Sequence, residues 1–150
     1  MRATTLLNRV LDLPGVQVAG VDLDEQSGGG SVVIDVSLRR RVLACPVCSY
    51  ATGRRYDRRD VDSSWRHLDV AGRPCRLRMR RRRLACPVHG VVTAGVPFAR
   101  PGARSTTDFE ALVVWLVTRS DNSTLATFAR VACRPVGAMC VRVDTAVPDS

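Results

Sequence analysis

Two short cysteine motifs constrain the fold of this chain more than any other feature. CPVC contributes Cys45 and Cys48, and CPVH contributes Cys86 and His89, with residues 49–85 between the two motifs. Three thiolates and one imidazole, paired at a spacing of two residues, form a ligand set that tetrahedral Zn²⁺ binds. We therefore expect a zinc site that joins two distant segments. Because a bound metal stabilises a small fold directly, such a chain needs little hydrophobic core.

The composition narrows the classes of partner. The chain has 150 residues, and 23 basic residues, all of them arginine, outnumber 14 acidic ones for a net charge of +9. Zinc motifs on a strongly cationic small protein indicate nucleic acid as the first partner to consider. No run of about 18 apolar residues is present, so we expect no membrane span, and the N-terminus lacks a signal-peptide core. We therefore expect reduced thiols in a cytoplasmic protein.

Hydrophobic periodicity predicts a β-rich N-terminal half. A short helix is expected over residues 4–13. Apolar and polar side chains then alternate in Val16–Asp24 and in residues 32–38, on either side of an SGGG turn, which predicts a hairpin. Residues 65–70 and 74–84 predict two further strands. The strands at 32–38 and 74–84 each lead directly into one cysteine motif, and two such units sharing one metal describe a zinc-ribbon-like fold.

The strand at residues 74–84 alternates apolar and basic side chains. Cys75, Leu77 and Met79 share its apolar face. The other face carries Arg76, Arg78, Arg80 and Arg82. A period of two places these four arginines side by side on one edge of the sheet. Like charges in a row destabilise a sheet, so a facing polyanion is one explanation for them, and simple solvation is the other.

The role expected for the metal is structural. Four protein ligands close the coordination sphere and leave no position for a catalytic water. A redox role for Cys45 and Cys48 is the competing chemistry, but redox CxxC motifs open a helix, whereas here a strand precedes the motif and no helical pattern follows. No spacing of Asp and Glu predicts a paired-carboxylate site either. We therefore expect no independent enzymatic activity from this chain.

The remaining histidine and cysteines have ordinary structural explanations. His67 follows Trp65 on a predicted strand, where a packed or hydrogen-bonded imidazole is expected rather than a metal ligand. Cys75 lies on an apolar face and is expected in the core. Cys133 and Cys140 have no partner pair at ligand spacing and are expected to be buried thiols of the C-terminal part.

Beyond residue 98 the apolar period becomes helical. Residues 99–104 are a Pro/Gly-rich linker, and Thr107 with Glu110 three residues later predicts a capping box for a first helix. Asn122 or Ser123 would cap a second helix. Its inward side chains would be Leu125, Phe128 and Ala129. A third helix, opened by Pro135 and reaching about residue 143, completes the pattern of a helix-turn-helix.

These elements predict the domain organisation. The fold class is α+β, with a small β-rich zinc ribbon at residues 1–98, a linker at 99–104 and a three-helix helix-turn-helix domain at 105–150. The exposed side of the third helix would carry Arg134 and Arg142, which we expect to contact DNA.

Taken in order, four segments resemble a known family. LRRRVLACPVC, WRHLDVAG, RLRMRRRRLACPVHG and VPFARPGARSTTDFEALVVWL are similar to the N-terminal half of ISL-three family insertion-sequence transposases. The resemblance implies a zinc ribbon with Cys45, Cys48, Cys86 and His89 as ligands. It also implies a helix-turn-helix, over about residues 106–144, that recognises terminal inverted repeats. In that family an acidic DDE nuclease domain follows, and it performs DNA transposition. The resemblance also implies a bacterial, nucleoid-associated protein.

The resemblance leads to one expected function and several alternatives. We expect the DNA-binding portion of a truncated transposase, with structural zinc and the double-stranded ends of a transposon as partner, alone or with homo-oligomers or full-length transposase. A non-functional remnant, or a regulator that competes for transposon ends, is the first alternative. A zinc-ribbon subunit of an RNA or transcription complex is an alternative of a different class.

Overall fold

The computed structural model describes residues 1–26, 30–130 and 139. The helices and strands are α1 (Ala3–Leu11), β1 (Val16–Asp24), β2 (Ser31–Leu38), β3 (Leu43–Ala44), β4 (Ala51–Thr52), β5 (Val61–Val70), β6 (Arg73–Arg81), β7 (Arg83–Cys86), β8 (Gly90–Thr93), α2 (Thr107–Val117) and α3 (Asn122–Ala129). The helix predicted near the N-terminus is confirmed as α1, and the predicted hairpin as β1 and β2. The described part of the third predicted helix is Met139 alone, which is helical and buried.

Four strands form the main sheet in the order β1-β2-β6-β5. β1 pairs antiparallel with β2, β2 pairs parallel with β6, and β5 pairs antiparallel with β6. The strand predicted at residues 74–84 is divided, because β6 ends at Arg81 and β7 begins at Arg83. β6 therefore lies inside the sheet, and its arginines lie on a face. The prediction that they lie on an edge was wrong, because parallel pairing with β2 places a strand on that side.

The main hydrophobic core lies on one face of this sheet. The alternation of β2 and β6 supplies much of it, as predicted. The buried residues of this core are Leu13, Val16, Val18, Val32, Ile34, Val36, Trp65, Cys75, Leu77, Met79, Phe98 and Ala99. Burying one large apolar side chain contributes about 1.5–3 kcal/mol, so this core is a large source of stability. This half of the chain therefore buries more apolar surface than a zinc-held fold was expected to need.

Two small hairpins carry the cysteine motifs. β3 pairs with β4, and β7 pairs with β8. Their shared core is small and consists of Leu43, Cys45, Leu84, Cys86 and Ala94. These knuckle hairpins extend from the main sheet as separate two-stranded units.

The Pro/Gly-rich segment at residues 96–106 packs closely on the sheet. The Phe98 ring meets the Trp65 ring edge-on, with 4.9 Å between centroids and an interplanar angle of 89°. Gly15, at a φ of +68°, lies so close to Pro97 that an added Cβ would sit 2.9 Å from the proline ring. The backbone of Arg66 in β5 also makes two hydrogen bonds of 2.9 Å to this segment: its amide donates to the Arg104 carbonyl, and its carbonyl accepts from the Thr106 amide.

The caps of the two C-terminal helices differ from those predicted. Thr106 caps α2, and its hydroxyl accepts a hydrogen bond from the Phe109 amide at 3.3 Å. The predicted capping box of Thr107 and Glu110 is therefore wrong by one residue. Asp121 caps α3 by accepting from the Thr124 amide at 3.1 Å. The Asn122 and Ser123 prediction was wrong because the helix begins one residue after the aspartate.

The inward faces of these helices form a third core with Leu68 of β5. Its buried members are Phe109, Val113, Leu125, Ala129 and Met139. Phe128 was predicted to face inward, but its side chain is 62% exposed. The short α3 presents only one narrow stripe to α2, which leaves Phe128 on its outer side. No helix in the described part of the chain is long and apolar enough to cross a membrane.

Candidate functional site

The structure brings the four predicted metal ligands together. Their ligand atoms all lie within 4.8 Å of one another. Cys48 Sγ is 3.6 Å from Cys86 Sγ, and His89 Nδ1 is 3.7 Å from Cys45 Sγ and 3.6 Å from Cys86 Sγ. Tetrahedral zinc, with Zn–S bonds of about 2.3 Å and a Zn–N bond of about 2.0 Å, requires S···S separations of about 3.8 Å and S···N separations of about 3.5 Å. These three separations match those of a tetrahedral zinc site.

Backbone amides of the knuckles favour the ionised form of two of the thiols. Burial opposes ionisation of the Cys86 thiol, but two amides of the CPVH turn and the side chains of His89 and Cys48 outweigh it and lower its pKa to about 6. At Cys48 the Tyr50 amide lowers the pKa, but burial and the neighbouring thiols outweigh it and hold the pKa above its ordinary value. Thiolates are the form that binds metal, so a cation placed between them would favour ionisation of both.

The surroundings of the cluster suit a structural metal. Cys45 and Cys86 are buried, Cys48 is half-buried, and His89 is exposed. No other group of three or more potential ligands occurs within residues 1–26, 30–130 and 139. The CPVC turn leads into the short strand β4, so the helix that a redox CxxC motif would open is not formed there.

His67 is a packed residue, as predicted. It is 3% exposed, and its Nδ1 lies 2.8 Å from the Thr106 hydroxyl oxygen. The Thr106 hydroxyl also accepts from the Phe109 amide, so the same side chain holds the imidazole and caps α2. Burial is the main reason that the pKa of His67 is lowered, with Asp108 raising it and Arg66 lowering it to smaller extents.

The thiol of Cys75 is also packed, as predicted. Its residue is fully buried in the main core. Burial raises its pKa to about 11, so it stays protonated at neutral pH. Cys133 and Cys140 lie outside the described residues.

The four arginines predicted to line a basic face differ in how far they are already neutralised. Arg78 makes a two-pronged contact with Asp35 at 2.6 and 3.0 Å, which holds the pKa of that carboxyl below its usual range. Arg80 pairs with Asp62 at 3.3 Å, and Arg76 donates to the Ser64 hydroxyl at 3.3 Å. Arg82, beyond the end of β6, is exposed. This face is therefore mixed in charge. Arg134 and Arg142 lie outside the described residues.

The structure has a second basic surface that was not predicted from the sequence. A cleft of about 1250 Å³ lies between the first knuckle and the segment at residues 96–104. Its lining includes the arginines Arg39, Arg40, Arg81, Arg100 and Arg104. They are scattered over the chain, and residues 99–104 were expected to be a linker, so only the tertiary fold brings them together. The local signal for this basic surface was the run RRR at residues 39–41, shortly before ACPVC.

Comparisons with known proteins match two consecutive regions. The zinc-finger family of transposases IS204/IS1001/IS1096/IS1165 matches residues 41–89, which include all four cluster ligands. The helix-turn-helix domain of transposase family ISL3 matches residues 96–132, which include α2 and α3. No solved structure matches.

Two curated relatives are similar over most of this chain. They are transposases for insertion sequence element IS1557 from two strains of Mycobacterium tuberculosis, CDC 1551 / Oshkosh and H37Rv. Each is 34% identical over 124 residues, which is 80% of this chain but 27% of the relative. The matching region therefore spans about a quarter of the length of these relatives.

Proposed function

The chain belongs to the ISL3 family of insertion-sequence transposases through its zinc-ribbon and helix-turn-helix regions, and we propose that it binds duplex DNA at the terminal inverted repeats of such an element. The observation that carries the proposal is the helix-turn-helix match over residues 96–132. In the structure these residues form α2, α3 and the packed segment before them. A net charge of +9 favours the same partner.

The proposed role of zinc is to hold the two knuckle hairpins together. Cys45, Cys48, Cys86 and His89 would supply all four ligands, and a closed sphere provides no catalytic position. The knuckle core is too small to hold the hairpins in register alone. Metal content of the purified protein tests this, with an expected ratio of one zinc per chain and loss of zinc in Cys48→Ser.

The helix-turn-helix would read the DNA sequence. Its helices are attached to the sheet through Leu68, which packs in their core, and through Arg130, which pairs with Asp69 at 2.8 Å. A recognition element fixed to a second DNA-binding surface keeps a constant register on the duplex. We propose that Arg134 and Arg142 contribute contacts from the third helix.

Phosphate contacts are proposed for the basic face of β6. Arg76, Arg80 and Arg82 are exposed and would reach a duplex most readily. Arg78 would contribute less, because Asp35 already binds its Nε and Nη2. Such contacts position the DNA and carry no sequence information.

Fluorescence anisotropy with two duplexes tests the proposed function. One duplex carries the terminal inverted repeat of an ISL3-family element, and the other has the same bases in scrambled order. We expect a preference of about tenfold or more, which corresponds to about 1.4 kcal/mol. Arg142→Ala should reduce the preference, whereas Arg54→Ala, in an exposed loop, should leave the preference unchanged. Equal affinity of the wild-type chain for the two duplexes would refute recognition of the ends.

A further inference from the structure

The cleft between the first knuckle and residues 96–104 is a cationic site with no acidic side chain among its described lining residues. Small-molecule pockets occupy about 300–1,000 Å³, and this cleft is larger, at about 1250 Å³. Its walls include apolar side chains such as Val42, Val47 and Val96. Apolar walls around charges of one sign focus the field into the cleft.

Arg81 is the strongest sign that an anion belongs there. Its guanidinium lies 5.4 Å from the Trp65 ring centroid, and its Nε donates to the Ser63 hydroxyl at 2.8 Å. Within the described part of the chain it has no carboxylate partner. Burial lowers its pKa, and no acidic group offsets this. A half-buried cation without a counter-charge costs free energy that a bound anion would recover.

The other four arginines differ in how free they are to bind a ligand. Arg100 is occupied by Glu110, at 2.7 Å from its carboxylate, and Arg39 donates from Nε to the Val16 carbonyl at 2.9 Å. Arg40 and Arg104 are both exposed and form no ion pair within the described residues. The Arg104 backbone is fixed, because its carbonyl accepts from the Arg66 amide at 2.9 Å. In the cleft, the charge of Arg100 is therefore neutralised, whereas Arg40 and Arg104, on different segments, are available to a ligand.

We propose that this cleft holds a stretch of the DNA phosphodiester backbone, with Arg40, Arg81 and Arg104 as its phosphate contacts. The inference rests on the proposed DNA binding and adds a contact surface distinct from the basic face of β6. An open, cationic cleft fits a polyanion. It also lies next to both matched regions, so the zinc knuckle and the helix-turn-helix would grip one duplex together.

The salt dependence of binding tests the cleft separately from sequence recognition. The experiment compares Arg40→Ala/Arg104→Ala with Arg54→Ala/Arg58→Ala, which removes the same charge from an exposed loop outside the cleft. Affinity for both duplexes is measured from 50 to 200 mM salt. Each lost phosphate contact lowers the logarithmic salt slope by about 0.9, so the cleft variant should lose about 1.8, and its deficit should shrink about 12-fold over this range.

The outcomes separate the two proposals. A slope change confined to the cleft variant, equal on both duplexes, supports the cleft, and Arg40→Lys/Arg104→Lys should restore the slope if charge is responsible. The same slope in the cleft variant and the loop variant would overturn it, provided that circular dichroism and zinc content match the wild type. The ratio of affinities for the two duplexes reports end recognition alone. Loss of that ratio with a retained cleft effect would therefore refute only the proposed function.

Discussion

Replacement of Phe98 by alanine should show that the segment before α2 is part of the folded core. Phe98 is 3% exposed, and its ring meets Trp65 edge-on at 4.9 Å. Deleting a buried phenylalanine side chain costs about 3–5 kcal/mol, and the lost edge-to-face contact alone contributes about 0.5–1.5 kcal/mol of such a cost. We therefore expect Phe98→Ala to lower the free energy of unfolding by about 4 kcal/mol. For a domain of ordinary stability, about 5–15 kcal/mol, this is a large fraction.

Urea denaturation with excess zinc, followed by circular dichroism, measures this difference. Phe128→Ala is the matched control, because the same side chain is 62% exposed on α3, and it should cost about 1 kcal/mol or less. Trypsin provides a second readout, since an undocked segment would open the Arg104–Ser105 bond to cleavage. Equal costs for the two variants would refute the packing argument and leave residues 99–104 as a flexible linker.

Three further predictions concern single side chains. Thr106→Ala removes both the α2 cap and the partner of His67, and it should cost about 1–3 kcal/mol in thermal or urea unfolding. In the folded state the pKa of His67 is lowered from 6.5. The unfolded chain therefore binds the proton more readily, and the free energy of unfolding should fall as the pH drops below about 6.5. Urea curves at pH 7.5 and 5.5 measure this decrease, and it should be smaller in His67→Gln. Asp35→Asn releases Arg78 and should cost less than about 1 kcal/mol, while it steepens the salt slope of DNA binding by up to about 0.9.

Local patterns predicted the elements whose environment is set by neighbouring residues. Alternation over β2 and β6 identified the buried side chains Val32, Ile34, Leu77 and Met79, because one face of each strand meets the core. The grouping of Cys45, Cys48, Cys86 and His89 was also predictable. Their residue types and spacing are a local requirement of tetrahedral coordination, which the fold only has to bring together.

Features that depend on distant pairing were not predictable in this way. The parallel pairing of β2 with β6 joins residues far apart in sequence, and no local signal specifies it. The cap of α2 was missed by one residue, because the consecutive threonines at 106 and 107 are equivalent candidates in the sequence. The cap of α3 is Asp121, which precedes both predicted residues. Residues 96–104 have linker composition, yet Phe98 and Ala99 are buried. Proline and glycine there set the turns that bring these side chains onto the sheet.

The division of the molecule into a large sheet core and a small knuckle core predicts how it responds to loss of metal. The knuckle hairpins have strands of two and four residues, which are too short to be stable alone. The sheet has its own core, whose buried residues differ from those of the knuckle core. Chelation of the proposed zinc should therefore release the hairpins while β1, β2, β5 and β6 stay folded. Hydrogen exchange should show lost protection at residues 43–52 and 83–93, with retained protection at Ser31–Leu38 and Arg73–Arg81. Simultaneous loss in all four segments would mean that the metal holds the whole fold, and the sheet core would then be insufficient by itself.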